Sequence, residues 1–397
     1  MAATFEMIQC LGRGGFGEVY LANHSAGGLT KRVAVKVLQA RRKKGSQALQ
    51  RIRDEARMLG ALDHPAIISV HELTRLAGRV ALVAEFVDGV DLSRCCNSER
   101  LLPPRVVVEA MAEVAAALHC AWVTPSPDTG KPLRLVHRDV KPENIRLSKH
   151  GEVKLLDFGI ARTSQLGREA LTATGHMPFT PGYAPPEMFN EKPPIGDYTD
   201  VYALGATAYR LLVGERFFEG VKIRRQVNLA AERDAYETYL RGRLDKIRGN
   251  ALRQLLWGCL AHRKEDRPSA KELAKKLTSL SDAMEGPTCS RWARSVPFPE
   301  PSSVEGGSLT GRVIEGDDGQ TVRIRRLVTR EDQIKAKSPA TVLMQIPSAR
   351  DLTEPPPTGR RWWVVAGMVL VMLLVVGPLL VALGATMIGA GWYAYTP

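Results

Sequence analysis

The stretch His137-Arg138-Asp139-Val140-Lys141-Pro142-Glu143-Asn144, followed by Asp157-Phe158-Gly159, restricts this chain more than any other feature of it. Asp139 supplies a carboxylate that can accept a hydroxyl proton and aim the oxygen left behind. Lys141, two residues on, can neutralise charge on a group in transfer. Asn144 and Asp157, thirteen residues apart, are hard oxygen donors of the kind Mg2+ prefers. Unrelated core residues do not fall into this order and spacing by chance.

Two further motifs lie upstream. Gly12-Arg13-Gly14-Gly15-Phe16-Gly17-Glu18-Val19 sits between the β-prone runs Phe5 to Leu11 and Val19-Tyr20-Leu21-Ala22. Glycines there let backbone N–H groups approach a polyphosphate that a Cβ would hold off. A glycine loop between two strands suits a lid, whereas the dinucleotide fingerprint needs a strand, the loop and then a helix. Lys36 ends the valine-rich strand Arg32 to Leu38, and Glu55 lies nineteen residues on in a segment of helical periodicity, Gln47 to Leu62. Taken singly, Lys36 reads as a solvated strand end and Glu55 as an exposed helix carboxylate. Their spacing, and Leu62-Asp63-His64-Pro65 after them, favour a paired role.

With these four motifs in one order, residues 5–283 resemble a eukaryotic-type (Hanks-type) Ser/Thr protein kinase of the bacterial membrane-anchored kind. The resemblance implies an α+β bilobal fold, with a β-rich N-lobe, a hinge near Glu85–Gly89 and an α-rich C-lobe. It implies ATP as substrate and Mg2+ as cofactor, with Mn2+ as an alternative. Leu11, Gly12, Gly14, Gly15, Gly17, Val19, Ala34, Lys36, Glu85 and Val87 would line the nucleotide site. Lys36 held by Glu55 would set the α- and β-phosphates, Asp139 would orient the nucleophile, and Lys141 would stabilise the transferring group. Asn144 and Asp157 would hold the metal. Lys141 is also the residue that sets Ser/Thr kinases apart from tyrosine kinases. Arg138 would meet a phosphorylated residue on the activation segment, Ile160 to about Glu187. Thr172 and Thr174 are the best acceptors there, ahead of Thr163 and Ser164. Thr180 matches the threonine that contacts Asp139 and Lys141. Asp200 would brace the catalytic loop, and Glu187 would pair with Arg267.

The chain departs from the pattern in places. Pro185-Pro186-Glu187 replaces Ala-Pro-Glu, and Phe179-Thr180 replaces Gly-Thr, which alters the wall that sees substrate. Ala84 occupies the gatekeeper position, so a pocket behind the adenine site is expected to be open. The turn-rich loop from Val123 to Arg134 resembles insertions in some bacterial kinases.

Beyond residue 283 the character changes. Residues 284–361 are punctuated by proline and read as a disordered juxtamembrane linker. Within it, residues 312–325 alternate around Gly316-Asp317-Asp318-Gly319, which predicts a β-hairpin; since a lone hairpin is marginal in water, it either docks on the kinase or belongs to a very small module. From Trp362 to Tyr395 no charged side chain occurs, enough for one membrane-spanning helix over 363–392, with aromatic residues at both ends. Arg360-Arg361 precedes the span and no basic residue follows it. That arrangement places the kinase in the cytoplasm and residues 393–397 outside the cell membrane, single-pass. Gly384 and Gly391 offer small faces for a homodimer.

The chain carries a net charge of +13, nearly all of it before residue 284. A basic domain near a membrane is drawn to anionic lipid, and no motif supports nucleic-acid binding. The six cysteines show no metal spacing and read as reduced thiols. Kinase-like matches begin almost at Met1, which leaves no room for an N-terminal regulatory domain or a signal peptide. The partners expected are ATP, protein substrates and the lipid bilayer. The alternative reading, a catalytically silent pseudokinase scaffold at the membrane, would be marked by loss of Asp139, Asn144 or Asp157, and all three are present. A small-molecule kinase would lack Lys141, the long activation segment and the Glu187–Arg267 pair.

Overall fold

Val33, Val35 and Val37 point inward and are fully buried, while Lys36 between them faces the other side. This period of two makes residues Leu29–Leu38 a strand rather than a helix. The computed structural model describes residues 3–14, 17–38, 56–95, 101–158, 179–189, 194–298, 303–316 and 322–323. Five antiparallel strands form the N-lobe: β1 (Thr4–Gly14), β2 (Gly17–Ala26), β3 (Leu29–Leu38), β4 (Val70–Leu76) and β5 (Arg79–Glu85). Residues 56–60 are helical, the visible end of the helix expected to carry Glu55.

The C-lobe is built from helices around α1 (Pro104–Val123), α2 (Asp197–Val213), α3 (Ile223–Ala231), α4 (Arg233–Leu244), α5 (Asn250–Cys259) and α6 (Ala270–Ala283). By length and mean hydropathy, 1.6, α1 could cross a membrane, but most of its apolar window is buried among the other helices. It packs against α2 and α6 as a core helix. The expected insertion loop folds onto its end, where Leu133 N–H donates to the Thr124 carbonyl at 2.8 Å. A small sheet, β6 (Gly89–Asp91), β7 (Ile145–Ser148) and β8 (Val153–Leu155), lies between hinge and catalytic loop. The expected α+β, two-lobed arrangement is present.

The end of the folded part differs from expectation. After α6 the chain forms α7 (Cys289–Ser295), whose first residue donates its N–H to the Glu109 carboxylate of α1 at 2.9 Å. It then returns to the N-lobe. β9 (Val313–Glu315) pairs with β1, and β10 (Val322–Arg323) pairs with β4, so the sheet runs β10-β4-β5-β3-β2-β1-β9. The expected hairpin over 312–325 is therefore corrected: its two strands occupy opposite edges of one sheet and do not pair with each other. Two such short strands gain little from one another, whereas each established edge offers a ready row of N–H and C=O groups. At Gly316 the two edges of the sheet come close together. A Cβ on Gly316 would lie 3.4 Å from the Phe5 ring of β1 and 3.6 Å from Thr74 Oγ1 of β4. Part of the linker expected from residue 284 is likewise folded: residues 289–295 form a helix, and residues 303–316 hydrogen-bond along β1. The segment expected to span a membrane, residues 363–392, lies outside the described residues.

Candidate active site

The β7–β8 hairpin explains the spacing of the two metal-type residues. Ile145 pairs with Leu155, and Leu156 N–H donates to the Asn144 carbonyl at 2.8 Å. Asn144 therefore enters the hairpin where Asp157 leaves it, and both arrive at one end of a two-stranded ribbon. Asp157 adopts a left-handed φ of 52°, and Arg138 one of 66°. Strained backbone of this kind persists only where surrounding contacts enforce it.

For the catalytic loop, those contacts come from α2. The buried Asp200 carboxylate accepts from His137 N–H at 2.6 Å and from Arg138 N–H at 2.8 Å. Burial raises this carboxyl to about 7, against the pull of its two N–H donors and of the Arg138 charge. The fully buried His137 ring lies on Leu156 and Asp139: Nε2 is 2.7 Å from the Leu156 carbonyl, and Nδ1 accepts from Asp139 N–H at 3.3 Å.

Three sequence-predicted residues, Thr180, Lys141 and Asn144, meet around Asp139. Thr180 Oγ1 donates to Asp139 Oδ1 at 2.6 Å, and Lys141 Nζ donates to Thr180 Oγ1 at 3.1 Å. Lys141 Nζ also lies 2.9 Å from Asp139 Oδ2. Asn144 Nδ2 donates to Asp139 Oδ2 at 3.0 Å and to its carbonyl at 2.8 Å. With its amide nitrogen so used, Asn144 keeps Oδ1 for a cation, which together with the half-exposed Asp157 carboxylate fits the oxygen preference of Mg2+.

Lys36 Nζ reaches across from β3 to Asp157 Oδ1 at 2.6 Å. Its expected partner Glu55 lies outside the described residues, as do Gly15, Thr172, Thr174, Thr163 and Ser164. In the glycine loop, Gly12 and Gly14 face open space, whereas Gly17 has φ 147° and a Cβ there would meet the Val37 carbonyl at 2.1 Å. Gly17 is thus required by strand packing as well as by any ligand. Leu11, Val19 and Ala34 lie on β1, β2 and β3 beside this loop. At the hinge, Ala84 is buried and pairs with Ala34. The Glu85 carboxylate accepts from Lys154 at 2.8 Å and from Ser69 N–H at 2.7 Å.

Glu187 and Arg267 form the expected pair, bidentate at 2.7 and 2.8 Å, with the guanidinium over the Tyr202 ring. Several contacts were not foreseen. Arg146 clamps the hinge by donating to the Val87 carbonyl and the Asp91 carboxylate, each at 2.8 Å. Arg210 of α2 joins Glu143 of the catalytic loop to the Tyr183 hydroxyl, both at 2.6 Å. A lone arginine on a strand or helix reads as solvated from sequence. Only the fold shows what it reaches.

Among known proteins, residues 5–277 match the protein kinase domain family. The human NUAK family SNF1-like kinase 2 is 32% identical over 216 residues, covering 54% of this chain and 32% of that protein. The Serine/threonine-protein kinase PknB of Mycobacterium tuberculosis is 36% identical over 224 residues, covering 55% of this chain and 34% of that protein. This chain thus spans about a third of the length of the curated relatives it matches. A crystal structure of the Mycobacterium tuberculosis PknI kinase domain aligns with TM-score 0.48 and 26% identity, over 69% of this chain and 95% of that one. On the extent of the family match and the residues gathered at its catalytic loop, this chain belongs to the protein kinase family, among the Hanks-type Ser/Thr kinases.

Proposed function

We propose that this protein is a membrane-tethered Ser/Thr kinase that transfers the γ-phosphate of Mg·ATP to serine and threonine hydroxyls of proteins and autophosphorylates on its activation segment. The observation that carries the reading is the hydrogen-bonded group of Asp139, Lys141, Asn144 and Thr180 beside the Lys36–Asp157 pair. Asp139 takes the hydroxyl proton as the oxygen attacks phosphorus. The bond from phosphorus to the bridging oxygen of ADP breaks. Lys141 steadies the charge of the group in flight, and Thr180 holds both side chains in place. Lys36 leaves Asp157 for the α- and β-phosphates when nucleotide enters. Asn144 and Asp157 would hold Mg2+, which when bound neutralises the phosphate oxygens.

The tether rests on the charge-free run from Trp362 to Tyr395 and on Arg360-Arg361 before it, which together favour a cytoplasmic kinase. Small residues in that run support a homodimer in which one copy phosphorylates Thr172 or Thr174 of the other.

Full-length protein in membranes, given Mg·ATP labelled in the γ-phosphate and a basic protein acceptor, should place label on serine and threonine. Alkaline washing should leave the enzyme with the bilayer. Label on tyrosine, or free phosphate without protein label, would defeat the Ser/Thr reading. Release into the wash would defeat the tether.

A further inference from the structure

Residues 303–316 follow the matched kinase region, yet they lie along the two strands that carry the glycine loop. Val304 N–H donates to the Cys10 carbonyl at 2.8 Å, and Gly311 N–H to the Met7 carbonyl at 2.7 Å. Met7 N–H returns a bond to the Arg312 carbonyl, and Gly316 N–H one to Ala3, both at 2.8 Å. Leu309, 3% exposed, enters the N-lobe core beside Tyr20 and Cys10. The fit is close: a Cβ on Gly307 would stand 2.7 Å from Cys10 Cβ and 3.0 Å from the Tyr20 ring. The segment is a strap with a defined seat.

At its centre, the Ser308 hydroxyl donates to Glu18 Oε2 at 2.6 Å and accepts from Arg79 Nη2 at 2.7 Å. The same Glu18 oxygen accepts from the Tyr20 hydroxyl at 2.9 Å and from Arg79 Nη1 at 3.2 Å. Arg13, on the outgoing limb of the glycine loop, reaches Glu18 Oε1 at 3.5 Å. Burial alone would raise Glu18, but hydrogen bonds from Ser308, Tyr20 and Arg79 outweigh it and bring the carboxyl down to about 2. Glu18 is therefore an anion through the whole working range of pH.

Glu18 directly follows Gly17, so its backbone is the root of the returning limb, while Cys10 lies at the root of the outgoing one. The strap grips both. We propose that Ser308 is a positioning residue for nucleotide binding, which through Glu18 holds the glycine loop in the register that the phosphates of Mg·ATP need. The assignment rests on the kinase reading of that loop. Ser308 touches no nucleotide itself and is not a catalytic residue.

The test uses the full chain, with two readouts kept apart: steady-state transfer to a basic protein, and equilibrium binding of a fluorescent ATP analogue with Mg2+. Loss of one charge-assisted hydrogen bond in Ser308→Ala should raise KM for ATP and the analogue's Kd together, by roughly threefold to tenfold. Turnover at saturating ATP should stay within about twofold. Ser308→Thr, which keeps the hydroxyl, should restore both constants. In a Glu18→Gln background, Ser308→Ala should add nothing, because the route through Glu18 is already cut. An unchanged Kd in Ser308→Ala, an equal effect in the Glu18→Gln background, or a fall in melting temperature with KM unmoved would each overturn the proposal. If the wild-type protein transfers no phosphate while Kd shifts as stated, the kinase reading fails and the positioning role stands.

Discussion

Asp200 is the residue on which the catalytic loop hangs, and its chemistry makes a pH prediction. Its carboxyl sits at about 7 when folded, against an ordinary value of 3.8. Between those values the folded protein holds a proton that the unfolded chain has released. Stability from this group is therefore complete below the lower value and falls as pH rises through the upper one. Urea midpoints measured across that interval should show the decline, and Asp200→Asn should flatten it. The same variant offers one oxygen and one NH2 to two N–H donors, so one donor is left facing another. We expect it to lower stability by about 1–3 kcal/mol, read from the same urea curves at neutral pH. Arg267 makes a second case. Its guanidinium is wholly buried against Glu187, so Arg267→Ala strands a carboxylate in the interior and should cost about 3–5 kcal/mol in chemical denaturation. Asp139, Asn144, Asp157, Asp200, Glu187 and Arg267 were all legible as motif positions, because local spacing and residue type carry that information. Arg146 and Arg210 were not, because their partners lie 27 to 67 residues away in the chain and no spacing marks them.

At the scale of elements, the hairpins that carry chemistry were readable and the strands that brace them were not. Glycine punctuation between β-prone runs marked the β1–β2 loop, and the distance from Asn144 to Asp157 is that of the short β7–β8 ribbon. β9 and β10 are three and two residues long, and their alternation looked like a hairpin. What decides their pairing is the nearness of two edges of a sheet assembled from residues some 240 to 310 positions away, which local pattern cannot report. The glycine loop shows the same division. Gly17 could be read as a phosphate glycine, yet the Val37 carbonyl lies where its Cβ would stand. Gly17→Ala should therefore lower thermal stability by about 1–3 kcal/mol even without nucleotide, since β2 must shift from β3 to admit the methyl group. A melting curve equal to that of the wild type in the absence of ATP would show that the close approach is not binding on the fold.

For the whole molecule, the kinase fold does not end where the family match ends. The match closes at residue 277, but α7 docks on the C-lobe, and the strap and β10 extend the N-lobe sheet at its β1 and β4 edges. A chain cut after residue 298 loses the Leu309 side chain from the N-lobe core and leaves the β1 and β4 edges open. It should be less stable than the full chain by about 2 kcal/mol or more and more prone to associate through those edges. Differential scanning calorimetry with light scattering on the two proteins, in the same detergent, would show it. The proline-rich composition after residue 283 suggested an unfolded tether, and that reading failed for the first part because a few well-placed contacts outweigh a polar composition.

The central claim is that Asp139 directs a hydroxyl onto the γ-phosphate of Mg·ATP. The most direct measurement is the rate of phosphate transfer to a basic protein by the full-length enzyme and by Asp139→Asn, with Mg·ATP binding measured on both. The account predicts that transfer falls on the order of 10³-fold or more while nucleotide affinity stays nearly the same. Equal rates in the two proteins, or a wild type that binds Mg·ATP and transfers nothing, would contradict it.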